Sequence, residues 1–231
     1  NGIHEGLVQS WKDIFPKKGE IYFAGALENN EDTGTLQYLA STAMEAGFST
    51  RVLDMQALDL QNGRFFDPAG ELVNRCFKLY PWEWMVDESP DGCLAEMEWL
   101  EPIWKLVMSN KAILATLYEL FPDSPYVLPC YLSRPRSGLF CKKPVFSREG
   151  HNVSVVDIRN WEEHVRIAET EGDYNTGAYV YQEYVEPTVY SGRYPVIGSW
   201  IIGGEAAGIG IRENRMEVTD NLSEFVPHII G

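Results

Sequence analysis

Leu139-Phe-Cys-Lys-Lys-Pro-Val-Phe-Ser-Arg-Glu-Gly-His-Asn-Val-Ser-Val-Val156 is the stretch on which the fold turns. Its apolar start reads as a strand carrying Lys142 and Lys143, with Pro144 behind them. The polar loop Arg148-Glu149-Gly150 follows, and residues 153–156 read as a Val-rich return strand. Such a hairpin can set an ammonium group and several backbone N–H groups around a polyphosphate. Taken alone, the same string also fits an exposed basic hairpin.

Upstream, Ser109-Asn110-Lys111 opens a helix over 110–120, and Pro122, Pro125 and Pro129 mark a loop. Downstream, residues 161–170 are predicted to be a helix, with Asn160 as N-cap and Glu163 at N3 completing a capping box. The run Gly177-Ala-Tyr-Val-Tyr-Gln-Glu-Tyr-Val185 is strand-like, and 195–218 read as two strands joined at Gly203-Gly204.

Further upstream, Ile3, Leu7, Val8, Trp11 and Ile14 share one side of a helix over 3–14, ended by Pro16-Lys-Lys-Gly19. A strand over 21–27, a helix over 34–46 and a strand over 50–55 form a β-α-β unit, hence a parallel sheet. Thr33 is the expected N-cap of that helix and Gly47 its C′ residue. Residues 60–80 read as a β-hairpin with turn signals at Asn62-Gly63 and Pro68-Ala-Gly70. Residues 94–107 read as helix, interrupted at Pro102. From Glu83 to Trp104 the chain has carboxylates but no Lys or Arg, which most simply is a solvated helix face. The expected class is α/β plus α+β: an α/β substrate-side subdomain over 1–85, an acidic helical connector over 86–108, and an α+β region over 109–231.

With 231 residues and 45% hydrophobic content, the chain can bury a core as one large domain or two small ones. The net charge of −15 and 19 scattered Lys and Arg leave no basic face for nucleic acid. The acidic excess suits small cationic partners, or simply solubility. Cys76, Cys93, Cys130 and Cys141 form no C-x-x-C pair, so free thiols in a reducing cytoplasm are expected, without disulfides or structural zinc. No apolar run is long enough for a bilayer and no signal peptide is visible. Because it begins with Asn1 and not Met, the chain reads as a longer protein that was cut or is shown in part. A protein kinase fits badly, for there is no His-Arg-Asp loop and no Asp-Phe-Gly.

The order of pieces from Lys111 to Glu183 resembles the nucleotide-binding lobe of the ATP-grasp superfamily. A narrower resemblance, to the stand-alone synthetase-like members of the glutathionylspermidine synthase family, spans nearly the whole chain. It rests on Glu31-Asp-Thr-Gly-Thr-Leu-Gln-Tyr-Leu39, Phe77-Lys-Leu-Tyr-Pro-Trp-Glu-Trp84, Glu101-Pro-Ile-Trp-Lys105, Ser109-Asn-Lys-Ala-Ile-Leu114, Lys143-Pro144 and Arg148-Glu-Gly-His-Asn-Val153. Gly198-Ser-Trp200, Gly208-Ile-Gly-Ile-Arg-Glu213 and Phe225-Val-Pro-His228 complete it.

The resemblance implies an ATP-grasp-like fold and ATP-dependent ligation of a carboxylate, such as glutathione, to an amine, such as spermidine, through an acyl phosphate. It implies ATP contacts from Lys111 and Lys143, from the flap Arg148, Glu149 and Gly150, and from the hinge Gln182, Glu183, Tyr184 and Val185. Arg212 matches the arginine near the transferring phosphoryl group; a strand-end arginine in a surface ion pair would look the same. Glu31 and Asp32 match acidic residues near the amine, or else a helix N-terminal pair favoured by the dipole. Lys78 would lie near the acceptor site.

The sequence also departs from the family. Ser147 stands in the flap where small residues, often glycine, are usual in the family. The family's Mg2+ ligands, an Asp and a Glu-x-Asn pair, are expected upstream of Asn1, and Glu213-Asn214 is not that motif. No metal ligand is therefore assigned within the chain, which alone is expected to be inactive or barely active. The alternative is an inactive nucleotide- or polyamine-binding fragment or homologue.

Overall fold

The computed structural model describes residues 1–167, 170–172, 174, 177–218 and 223–229. The chain divides into two units, Asn1–Leu106 with Ser199–Gly208, and Val107–Gly198 with Ile209–Gly231.

The first unit opens with α1 (Ile3–Ile14), β1 (Glu20–Gly25), α2 (Asn30–Glu45) and β2 (Ser49–Asp54). Val8 and Trp11 turn inward, and the Trp11 indole N–H donates to Thr42 Oγ1 at 2.9 Å, fastening α1 to α2. Strand β1 pairs parallel with β2, as the β-α-β reading requires. Its Ile21-Tyr22-Phe23-Ala24 run is buried on both faces, as a central parallel strand must be. Alternation sends Ile21 and Phe23 into a core with Trp11, Leu36 and Phe48, and Tyr22 and Ala24 into a second core with Val73, Trp82 and Trp99.

Helix α2 starts earlier than Thr33 would have it. Asn29 is the N-cap: its side chain accepts from the Glu31 N–H at 2.9 Å, while the Thr33 hydroxyl donates to the Leu27 carbonyl at 3.1 Å. Glu31 and Asp32 thus occupy the first turn. Gly47 follows the helix with φ of 93°, as the C′ reading requires.

Residues 60–80 are not one hairpin. The hairpin consists of β3 (Asp59–Gln61) and β4 (Arg64–Phe66) around Asn62-Gly63, extended by β5 (Leu72–Val73). The next strand, β6 (Arg75–Leu79), pairs parallel with β1 instead. Both its faces are covered, Cys76 and Lys78 by one core, Phe77 and Leu79 by the other, and an outer hairpin strand could not satisfy them. Two short helices follow, α3 (Trp82–Glu88) and α4 (Pro90–Cys93), then β7 (Glu98–Leu100). The sheet order is β2-β1-β6-β7. The predicted helix over 94–107 is therefore corrected. Trp99 is buried edge-on against Phe65 and Trp82, at 5.5 and 5.7 Å between centroids, and helical backbone begins only after Pro102, with the 3-10 turn Ile103–Lys105 and then four residues from Leu106 to Ser109.

The second unit holds α6 (Ala112–Leu120), reached through the short α5 (Leu106–Ser109). Its strands are β8 (Cys130–Tyr131), β9 (Gly138–Pro144), β10 (Ser154–Arg159), β11 (Glu162–Ile167) and β12 (Tyr179–Glu183), in an antiparallel sheet ordered β11-β10-β9-β12-β8. The Lys-bearing strand and its return strand are β9 and β10.

Residues 162–167 form a strand, β11, where a capped helix was predicted; residues 168 and 169 of that prediction lie outside the described residues. Asn160 and Trp161 have φ of 52° and 71°, and Arg159 pairs directly with Glu162. Two central residues at positive φ make a tight hairpin turn, for which Asn is well suited; an N-cap needs extended backbone instead. The Asn-x-x-Glu spacing therefore imitated a capping box.

Two more strands, β13 (Tyr194–Ile202) and β14 (Glu205–Asn214), flank Gly203-Gly204 as expected, and β15 (Glu224–Val226) adds antiparallel to β14. No helix among the described residues is long and apolar enough to cross a membrane.

Candidate functional site

Strand alternation builds a cleft on one face of β9. In the sheet register Cys141 faces Val155 on β10 and Gln182 on β12, and Lys143 lies two residues along the same face. These four side chains line a cleft of about 420 Å³. The Lys143 ammonium donates to Gln182 Oε1 at 2.7 Å.

Lys111 reaches the same cleft from the start of α6. Its backbone N–H donates to the Val145 carbonyl at 2.8 Å, and its ammonium donates to the carbonyl and, at 3.0 Å, the hydroxyl of Ser147. Gln182, Glu183, Tyr184 and Val185 all line the cleft. The Glu183 N–H is engaged by the Pro129 carbonyl at 2.7 Å and the Tyr184 N–H by the Leu139 carbonyl at 3.0 Å.

The flap is a tight turn. The His151 N–H donates to the Arg148 carbonyl at 2.8 Å, and Glu149 and Gly150 have φ of 53° and 73°. Glycine takes that backbone without strain, whereas Glu149 does not. Thr170 staples the turn down: its hydroxyl donates to the Gly150 carbonyl and accepts from the Val153 N–H at 2.9 Å. Of the flap, Gly150 lines the cleft, while Arg148 and Glu149 fall outside its lining.

Other expected residues are not brought into this cleft. Arg212 sits on β14, opposite Phe225 in the ladder, its guanidinium 5.8 Å from that ring's centroid. Glu31, Asp32 and Lys78 belong to the first unit. Lys78 is buried, with its ammonium 2.6 Å from the Tyr80 carbonyl and 3.8 Å from the Trp82 ring centroid.

The cleft also contains residues the sequence did not announce. Leu128, Val153, Val155, Pro187 and Val218 give it apolar walls, and Cys141 and Glu217 join the polar floor. Cys141 could have been found by counting back two from Lys143; Glu217 carries no local signal. One carboxylate oxygen of Glu217, Oε1, is buried with no hydrogen-bond partner among the described residues. Burial pushes the Cys141 thiol up; nearby Lys143 opposes this and Glu217 adds to it. Among the described residues no group of three or more His, Cys, Asp or Glu could hold a metal ion.

On the opposite face of β9, Lys142 donates to Glu163 Oε2 at 2.8 Å and the Tyr181 hydroxyl donates to Glu163 Oε1 at 2.6 Å. Burial alone would raise the Glu163 carboxyl, but those two hydrogen bonds and the charge of Lys142 outweigh it and hold the carboxyl below its usual range. A depressed carboxyl stabilises the fold above its unfolded value, about 4.3, and that contribution is lost as pH falls through the folded value. Glu163→Gln is expected to cost about 1 kcal/mol at pH 7, discounted because a fifth of the side chain is in water. The variant should also show a shallower loss of stability below pH ~4 than the parent in urea titrations. Parallel curves for the two proteins would refute the carboxylate's part.

The family model for the glutathionylspermidine synthase preATP-grasp region matches residues 1–231. A Haemophilus influenzae protein, provisionally named an acid–amine ligase, is 35% identical over 240 residues, covering 99% of this chain and 61% of that protein. The bifunctional glutathionylspermidine synthetase/amidase of Escherichia coli is 26% identical over 266 residues, covering 100% of this chain and 42% of that protein. The trypanothione synthetase of Crithidia fasciculata is 36% identical over 130 residues, covering 55% of this chain and 19% of that one. The chain thus spans less than two thirds of these relatives. Among solved structures, a Methylobacillus flagellatus protein provisionally named a gamma-glutamylcysteine synthetase has a similar mixed α/β fold, with a TM-score of 0.59 at 9% identity, over 97% of this chain and 72% of that one.

Proposed function

The chain belongs to the glutathionylspermidine synthase preATP-grasp family, and from that premise we propose that the protein is an ATP-dependent carboxylate–amine ligase with an ATP-grasp nucleotide site. The observation that carries this reading is the meeting of Lys111, Lys143 and the hinge 182–185 in one cleft. Two ammonium groups from distant parts of a chain of net charge −15 suit a polyphosphate, and apolar walls suit a planar base.

Lys111 and Lys143 neutralise phosphate charge. Because the Glu183 and Tyr184 N–H groups are already engaged, the backbone donor to adenine falls to Val185. Gly150 contributes from the flap, flanked by Arg148 and Glu149. The orphaned oxygen of Glu217 fits a ligand hydroxyl donor, and ATP has such donors on its ribose. Glu217→Ala, which removes the acceptor, is accordingly expected to erase a preference for ATP over 2′-deoxy-ATP of about tenfold in competition titrations. A parent protein indifferent to the 2′-hydroxyl would refute that role.

The reaction follows the chemistry of an acyl phosphate. The substrate carboxylate attacks the γ-phosphorus and ADP leaves; the amine then attacks the acyl carbon and inorganic phosphate leaves. Arg212 supports the transferring phosphoryl group. Glu31 and Asp32 attract the amine as a cation, and Lys78 acts from the core by holding the Tyr80 carbonyl. Glutathione and spermidine are the model substrates. Mg2+ accompanies the ATP of such ligases; among the described residues no group of three or more His, Cys, Asp or Glu could hold it. Four free cysteines suit a reducing cytoplasm.

Phosphate release by the complete protein, screened against small peptides and polyamines, tests the reading. Turnover requiring both substrates supports it. ATP binding without turnover for any pair would leave a nucleotide-binding module, and no ATP binding would sink both.

A further inference from the structure

We propose that Ser147 is a positioning residue that aims the Lys111 ammonium at the phosphates, an inference resting on the nucleotide reading of the cleft. Ser147 is 9% exposed and gives the ammonium two acceptors, its carbonyl and its hydroxyl, the latter at 3.0 Å. Lys111 is also held at its backbone, by the Val145 carbonyl at 2.8 Å. One loop therefore grips the lysine at both ends.

Lysine is a flexible stem with a rotatable head, and an unrestrained one surrenders much rotamer entropy on binding phosphate. Two acceptors on one residue fix the head before the ligand arrives, which lowers that cost. Ser147 leads directly into the flap, whose far side is stapled by Thr170. The ammonium is thus tied to the loop that covers the cleft. Glycine at this position would keep the carbonyl contact and lose the hydroxyl one.

The experiment compares ADP and adenosine binding by calorimetry in the parent, Ser147→Ala and Ser147→Thr. Loss of the hydroxyl is expected to weaken ADP about 3- to 10-fold and leave adenosine unchanged, because only ADP meets Lys111. Threonine, which keeps the hydroxyl, is expected to bind ADP like the parent. Equal ADP affinity in parent and Ala variant would overturn the proposal. So would equal losses for ADP and adenosine, or a Thr variant behaving like Ala. A parent that binds no ADP would instead overturn the nucleotide reading itself.

Discussion

Lys143→Ala is expected to weaken ATP binding about 10- to 100-fold while leaving the fold intact. The side chain projects from the centre strand of its sheet into the cleft, where its ammonium meets Gln182. On the proposed reading its removal costs a charge-assisted contact to phosphate and leaves an amide oxygen that water can reach. Lys142→Ala is the internal control. That residue is one position away on the same strand, but alternation sends it to Glu163 on the other face. It should lose stability and keep nucleotide affinity. Calorimetric titration of both variants decides the matter. If Lys143→Ala bound ATP as tightly as the parent, the cradle would be wrongly assigned; if both lost affinity equally, the effect would be structural.

That opposition between neighbouring lysines follows from strand alternation, which the sequence carries locally. The string from Leu139 to Val156 carried its own strand, turn and return strand, because apolar alternation and a glycine loop are local signals. The β-α-β start was equally legible, since β1 is apolar from Ile21 to Ala24 and Gly47 closes α2. Three features were not. Asn160 imitates a cap, because a hairpin turn and an N-cap both favour Asn and only backbone φ separates them. Strand β6 reads as part of the preceding hairpin, because parallel pairing is a long-range contact that leaves no mark on the residues themselves. Glu217 was invisible, because its importance lies in a missing partner, and that depends on what the fold brings near it.

Arg212→Ala is expected to depress turnover about 10³-fold in the complete protein while ATP affinity changes little. The guanidinium lies outside the cleft lining, so ground-state binding does not depend on it. It stands on β14, held by ladder pairing with Phe225 and by that ring beneath it. The same strand runs on into the segment that delivers Glu217 and Val218 to the cleft. An arginine so placed can meet charge that develops during phosphoryl transfer, and a planar, permanently charged fork suits that charge. The competing account is structural: losing the cation over Phe225 loosens β14 and, through it, the wall built by Glu217 and Val218. The two accounts separate on the split between kcat and KM. A transition-state role lowers kcat and kcat/KM together and leaves KM in place; a loosened wall raises KM and weakens ADP binding as well. Arg212→Lys sharpens the contrast, for it keeps a cation near the ring and abandons the fork. Recovery of ADP affinity but not of kcat by Lys fits catalysis, whereas recovery of both would assign Arg212 to the scaffold.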